Sequence, residues 1–259
     1  MVFPPVTARR ACWTEQAAAA GWRSQSRAAA VQVEFQIVSD PTDGRQFASS
    51  PCAMHELEND WEKVKTWRNA RRKSLVKQRV ETDAETRRKL NRAIVTRLAG
   101  LLNPDTYPTL GIYWPIRGEI DVRELARIHL AAGGQTALPV IVTKHAPVEF
   151  WQWHPGMRTQ RGVLDIPVPR ERHVVIPDVL VIPLLGFDRA YFRLGYGGGY
   201  YDRTLAAATR RPLAIGVASF DAELHTIYPQ PHDVPMDVIV TDKFVLGADA
   251  VGRQAKSGE

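Results

Sequence analysis

Five short apolar runs frame the sequence: Leu110–Trp114, Ala137–Val142, Val179–Pro183, Leu213–Ser219 and Val238–Thr241. Each is too short for a core helix and is bounded by turn-forming or charged residues, which is the mark of strands buried on both faces. Helical stretches lie between them. Asp121 with Glu124 marks the start of one that Gly133–Gly134 terminates, and another spans about Gly199 to Thr209. Val148–Trp153 alternates apolar and polar residues, as expected of an antiparallel strand at a sheet edge. Strands alternating with helices specify an α/β fold: a largely parallel sheet flanked by helices in three α/β/α layers. Right-handed crossovers bring the C-terminal ends of such strands to one edge, where ligands bind.

Upstream of the first strand the chain reads as a basic helical segment from Glu56. Thr82 with Glu85 forms a capping box, so one helix ends near Val80 and a second runs to about Leu102. Leu90, Ile94, Leu98 and Leu101 mark the core face of the second. Residues 56–100 hold thirteen Lys/Arg against seven Asp/Glu, as large an excess as the net +6 of the whole chain. Three readings of that charge stand: a solvated helix face, a part in binding an anionic small molecule, or nucleic-acid binding. The last is the weakest, because no helix-turn-helix, zinc or aromatic RNA motif accompanies it.

Residues 1–53 show alanine clusters, scattered arginines and a polar run from Ser39 to Pro51, without a helical or strand period. A poorly ordered N-terminal extension is expected. An Arg- and Ala-rich transit peptide is the alternative, against which Glu15, Glu34, Asp40 and Asp43 count. The α/β domain is expected over 54–246, opened by Met54, with a flexible tail over 247–259. No apolar run approaches the ~20 residues that span a bilayer. Cys12 and Cys52 both fall in the extension, so the domain holds no disulfide and no thiolate metal site. A cytoplasmic monomer that binds small molecules, with no nucleic-acid or membrane partner, is the expectation.

The segment with chemical content runs from Val179 to Arg203. A buried strand feeds a long loop holding Gly195, Gly197, Gly198 and Gly199, and the loop feeds a helix. Glycines let successive backbone N–H groups turn into one concavity, and the helix start adds free donors. The combination suits phosphate. Arg193 and Arg203 bracket it, and Asp202 is a candidate Mg²⁺ ligand. A plain glycine-rich turn, with Asp202 as a helix N-terminal carboxylate, is the competing reading. No Walker Gly-Lys-Ser/Thr follows. A dinucleotide site is disfavoured, because Tyr200 stands at the third glycine position and about a dozen residues separate strand from glycines.

Phe187-Asp188, Arg193-Leu194-Gly195, Gly197, Gly199 and Tyr200-Tyr201-Asp202-Arg203 together resemble the signature of the 5-formyltetrahydrofolate cyclo-ligases. Tyr113 through Glu119-Ile120-Asp121, Leu138-Pro139, Ile215-Gly216-Val217 and His232-Asp233-Val234-Pro235-Met236-Asp237 agree in order and spacing, from about Arg68 to Asp242. The resemblance implies an enzyme that closes 5-formyltetrahydrofolate to 5,10-methenyltetrahydrofolate with ATP and Mg²⁺, releasing ADP and phosphate. A folate- or nucleotide-binding paralogue with altered chemistry is the alternative. By the same resemblance Arg68, Arg72, Arg193, Leu194, Gly195, Tyr196, Gly197, Gly198, Gly199, Tyr200 and Tyr201 hold ATP. Tyr113, Glu119 and the Tyr196–Tyr200 stretch face folate. Asp202 and Asp233 bind Mg²⁺, and Arg193 and Tyr200 serve catalysis. His232 reads as an exposed histidine rather than a base. Arg68 stands where the family usually has Lys, Tyr196 where Arg is common, Tyr191 where glycine is frequent and Glu223 where Gln is frequent.

Overall fold

The computed structural model describes residues 60–251. The expected extension over 1–53, the start at Met54 and the tail past 251 lie outside the described residues. Two helices come first. Helix α1 (Trp61–Glu81) is capped by Asp60, which accepts from Glu62 N and Lys63 N. Helix α2 (Ala84–Leu101) is capped by Asp83, whose Oδ1 accepts from Glu85 N and Thr86 N at 2.9 Å each. The capping box expected at Thr82 is therefore displaced by one residue. Thr82 is extended and its hydroxyl donates back to Gln78 O, leaving the stronger carboxylate acceptor to cap. Helix α3 (Arg123–Ala131) begins after Val122 with no side-chain cap, while Asp121 accepts from Arg123 N and pairs with its guanidinium.

Eight strands form the main sheet: β1 (Thr109–Gly111), β2 (Gln135–Val140), β3 (Glu149–Gln152), β6 (Val174–Val175), β7 (Val179–Pro183), β10 (Leu213–Val217), β11 (Val238–Val240) and β12 (Val245–Leu246). Their order is β12-β11-β10-β7-β1-β2-β3-β6. The five central strands, β11 to β2, are parallel, and β12, β3 and β6 join by antiparallel pairs. The α/β reading of the sequence thus holds. Strand β3 is antiparallel as expected, but β6 covers it and is the true edge. Two short hairpins were hidden in apparent loop: β4 (Thr159–Arg161) with β5 (Pro167–Pro169), and β8 (Gly186–Phe187) with β9 (Arg193–Leu194).

Side chains alternate across the sheet as the pleat demands. Val179 and Val181 of β7 join Ile94, Leu98 and Leu125 from α2 and α3 in one core, whereas Leu180 and Ile182 join Leu205 of helix α4 (Tyr200–Ala207) in the other. A third cluster sets Leu75 of α1 against Leu185, Leu194, Leu224 and Ile227. Residues Gly247 to Val251 follow β12, and Ala250 and Val251 pack on the first core. No helix among the described residues is long and apolar enough to cross a membrane.

The chain passes from β1 to β2 on one side and from β7 to β10 and β11 on the other, so the order reverses between β1 and β7. The segments leaving the C-terminal ends of those two strands flank this switch point, where such sheets bind ligands. Gly216 keeps the neighbouring strand close to the segment after β7: a Cβ there meets Leu184 Cδ1 at 2.7 Å. Gly216→Ala is expected to cost about 1–3 kcal/mol through overpacking, which urea unfolding against the parent chain measures.

Candidate active site

The segment after β1 is built around one buried carboxylate. Tyr113 is buried and its hydroxyl donates to Ile120 O at 2.6 Å, which closes the turn. Arg117 (φ 46°) and Gly118 (φ 72°) reverse the chain in the left-handed region, and Gly118 lies against the backbone of Arg79. The reversal points Glu119 inward to 5% exposure, with Oε2 accepting from Ile116 N at 2.9 Å. Burial raises its pKa from 4.5 to about 7, against the Ile116 hydrogen bond, the Arg79 charge, the Tyr196 hydrogen bond and the Arg117 charge.

The segment after β7 supplies the glycine loop. Glycine is required at Gly197 (φ 89°) and Gly199 (φ 64°) by conformation, and side chains crowd both. Arg72 donates from Nε to Gly195 O at 2.8 Å, and its Cζ lies 3.3 Å from where a Gly197 Cβ would sit. Arg203 donates to Gly198 O at 2.6 Å and lies over the Tyr200 ring at 5.1 Å. The loop is thus strapped by two guanidiniums, one from α1 and one from α4.

Two ion pairs with buried arginines stand behind the loop. Arg193 is 8% exposed, donates to Val234 O at 2.7 Å and sits 2.6 Å from Asp202 Oδ1. Burial lowers its pKa, and Asp202 opposes that. Asp202 Oδ1 also accepts from Val234 N at 3.0 Å. Arg68, 4% exposed, holds Asp233 in a fork, with NH2 to Oδ2 at 2.6 Å and NH1 to Oδ1 at 3.4 Å. Its Nε and NH2 also donate to Ile227 O and Tyr228 O.

Three groupings of the expected residues result. Arg72, Gly195–Gly199, Tyr200 and Arg203 share the loop. Arg193, Asp202, Asp233 and Arg68 share the ion-pair cluster. Tyr113, Glu119 and Tyr196 meet at the turn after β1, where burial and the charge of Glu119 raise the pKa of Tyr196 and the Arg79 and Arg117 charges oppose. Burial likewise pushes the Tyr201 hydroxyl up. Two placements differ from the sequence expectation. Arg68 spends its donors inside the protein, tying α1 to the segment before β11, and offers no free charge. Leu194 turns its side chain into the core beside Leu75, so only its backbone faces the loop. His232 is exposed as expected, edge-on to Trp61. Tyr191, where the family often has glycine, has φ 68°, the left-handed region that glycine occupies without strain.

The sequence does not single out Arg79 or Arg117, and it places Asp188 in the signature without a role. Asp188 is 2% exposed and accepts from Ala190 N, Phe192 N and Ile227 N, fixing the β8–β9 turn to the C-terminal segment.

The profile of the 5-formyltetrahydrofolate cyclo-ligase family matches residues 64–242, which takes in the turn, the glycine loop and both ion pairs. The chain belongs to this family. The cyclo-ligase of Mycolicibacterium smegmatis is 33% identical over 143 residues, 52% of this chain and 74% of that one. That of Escherichia coli is 32% identical over 154 residues, 54% of this chain and 84% of that one. Among solved structures, the 5,10-methenyltetrahydrofolate synthetase of Mycoplasma pneumoniae superimposes with a TM-score of 0.56 at 26% identity, covering 68% of this chain and 98% of that one. The Aquifex aeolicus synthetase gives 0.61 at 27% identity, covering 74% and 94%.

The two arginines of α1 are expected to behave differently. Arg68→Met leaves Asp233 charged and largely buried, a loss of about 3–5 kcal/mol, whereas Arg72→Met removes one part-buried and one exposed hydrogen bond, to Gly195 O and Asn69 Oδ1, and costs about 1–2 kcal/mol. Urea unfolding of the two variants side by side checks the contrast. Glu119 adds a pH signature. Its folded pKa lies above that of the unfolded chain, so between 4.5 and about 7 the folded state holds the extra proton and stability falls as pH rises. Glu119→Gln is therefore expected to gain melting temperature relative to the parent chain at about pH 8 but not at about pH 5. A difference independent of pH would contradict this.

Proposed function

We propose that this chain catalyses the ATP- and Mg²⁺-dependent closure of 5-formyltetrahydrofolate to 5,10-methenyltetrahydrofolate, with ADP and phosphate as co-products. The observation that carries the reading is the convergence, at one switch point, of a glycine loop fit for phosphates and a buried carboxylate fit for a ring rich in N–H donors. The solved relatives carry the name of the same synthesis. In the reaction the formyl oxygen takes the γ-phosphoryl group of ATP, N10 attacks the activated carbon, and phosphate leaves. That chemistry asks for positioning and charge neutralisation more than for a protein nucleophile.

The residues divide the work. Gly195–Gly199 present backbone donors to the phosphates, with Arg72 and Arg203 setting the loop's shape and Arg72 adding positive charge. Arg193 holds Asp202 in place. Glu119, with Tyr113 and Tyr196 beside it, accepts from the pterin. Asp202 suits Mg²⁺ on two counts: it is part-exposed, and only its Oδ1 is engaged by Arg193 and Val234. Asp233 lies one residue from Val234 but gives both oxygens to Arg68, so it shares a metal only if that fork opens. No cluster of three or more His, Cys, Asp or Glu among the described residues makes a cage, which suits a Mg²⁺ held largely by phosphate oxygens. When bound, Mg²⁺ neutralises charge on the transferred phosphoryl group.

The expected result is appearance of the near-ultraviolet absorbance of the methenyl product only when ATP, Mg²⁺ and 5-formyltetrahydrofolate are all present. Folate binding without product at saturating ATP and Mg²⁺ would establish the paralogue instead, and binding of neither ligand would refute the site.

A further inference from the structure

Helix α1 presents Arg68, Arg72, Leu75 and Arg79 at spacings of four, three and four, one stripe facing the body. Arg68 is taken up by Asp233, and Arg72 by the glycine loop. Arg79 reaches the other half of the site. Its NH2 donates to Leu184 O, the first residue after β7. Its NH1 is buried, has no hydrogen-bond partner among the described residues, and lies 3.9 Å from Glu119 Oε1. The two side chains are 16% and 3% exposed.

We propose that Arg79 is a positioning residue for folate: it places a positive charge behind Glu119 that favours the ionised carboxylate without itself taking Oε1 as a hydrogen-bond partner. The inference rests on the proposed function, since it assigns Glu119 to the folate ring. An unaided carboxylate so deeply buried takes up a proton. As an acid it would present an O–H where the pterin presents N–H groups. A bidentate arginine fork prevents protonation but occupies both oxygens. Arg79 does neither. At 3.9 Å it stabilises the charge through space, while Ile116 N takes Oε2.

The other groups facing Glu119 do not replace it. Arg117, on the same turn, is exposed and its charge is screened by solvent. Tyr113, Tyr196 and Tyr201 approach from the segment after β1, the glycine loop and α4, and burial raises the pKa of all three, so they stay neutral. Arg79 is the buried cation of the set. Leu184 O fixes it from the strand that also launches the glycine loop, so the Glu119 charge is tied to the frame of the phosphate site.

The test is the pH dependence of KM for 5-formyltetrahydrofolate at saturating ATP and Mg²⁺, across about pH 6 to 9, in the parent enzyme, Arg79→Met, Arg79→Lys, Glu119→Gln and the Arg79→Met/Glu119→Gln pair. In the parent, KM rises on the acid side of a limb near the Glu119 pKa of about 7. Arg79→Met moves the limb to higher pH by about one unit, so that below it KM is about tenfold higher at a given pH, while kcat changes far less. Arg79→Lys restores most of the shift. In the Glu119→Gln background, Arg79→Met changes KM less than about twofold, because its effect runs through Glu119. If Arg79→Met lowers the folded fraction, Arg79→Gln keeps a donor for Leu184 O and must show the same shift. An active parent whose limb stays put in the Arg79 variants, or an equal KM loss in both backgrounds, overturns the role of Arg79 and leaves the proposed function intact. An inactive parent overturns both.

Discussion

The architecture of the site depends on two arginine–carboxylate pairs whose guanidiniums the fold buries. Arg193–Asp202 joins the start of β9 to the first turn of α4, and both residues hold Val234, by O and N respectively. Arg68–Asp233 joins α1 to the same segment one residue earlier. Neither pair is strong evidence of stability, since desolvating the charges offsets most of their attraction. Their effect is to fix register. A segment of some twenty residues between β10 and β11, with no strand of its own, is held at successive positions by two arginines from distant parts of the chain. The glycine loop lies between those anchors and so has a defined shape without internal hydrogen-bonded structure.

A loop of that kind would otherwise be mobile, because glycine imposes little on φ and ψ. Arg72 and Arg203 solve the problem from outside, each accepted by a loop carbonyl, at Gly195 and Gly198. Engaging carbonyls leaves the loop's N–H groups uncommitted by these contacts. That asymmetry is what an anion site needs, and it explains why arginine, with several donors in a rigid fork, occupies both positions.

The α/β class, the central strands and the glycine loop were legible because they rest on local signals: continuous apolar runs, caps and a long signature. What the sequence concealed was pairing between distant residues. Hairpin β8–β9 is two residues per strand, too short for a period to show. The cap at Asp83 was missed because Thr82 with Glu85 satisfies the same pattern one residue earlier. The role of Arg68 is the clearest case. The family resemblance puts it with Arg72 at the ATP site, but nothing local indicates that a carboxylate 165 residues away consumes its fork. Arg79 sits on the same stripe and passed unnoticed among thirteen basic residues, since charge alone does not distinguish a solvated helix face from one turned inward.

Tyr196 illustrates how one departure from the family pattern is absorbed. Where arginine is common, this chain has a phenol that lowers the pKa of Glu119 and receives Arg117 against its ring at 5.8 Å. A third arginine here would meet Arg79 and Arg117 around a single carboxylate, an excess of positive charge in a partly buried place. The phenol keeps a donor at the position without adding charge. It also links the glycine loop directly to the turn after β1, so the two halves of the site touch through one side chain. For a reaction in which a formyl oxygen must approach a γ-phosphorus, that link would hold the proposed folate and ATP sites in one relation, and orientation of this kind supplies much of what catalysis without a protein nucleophile requires.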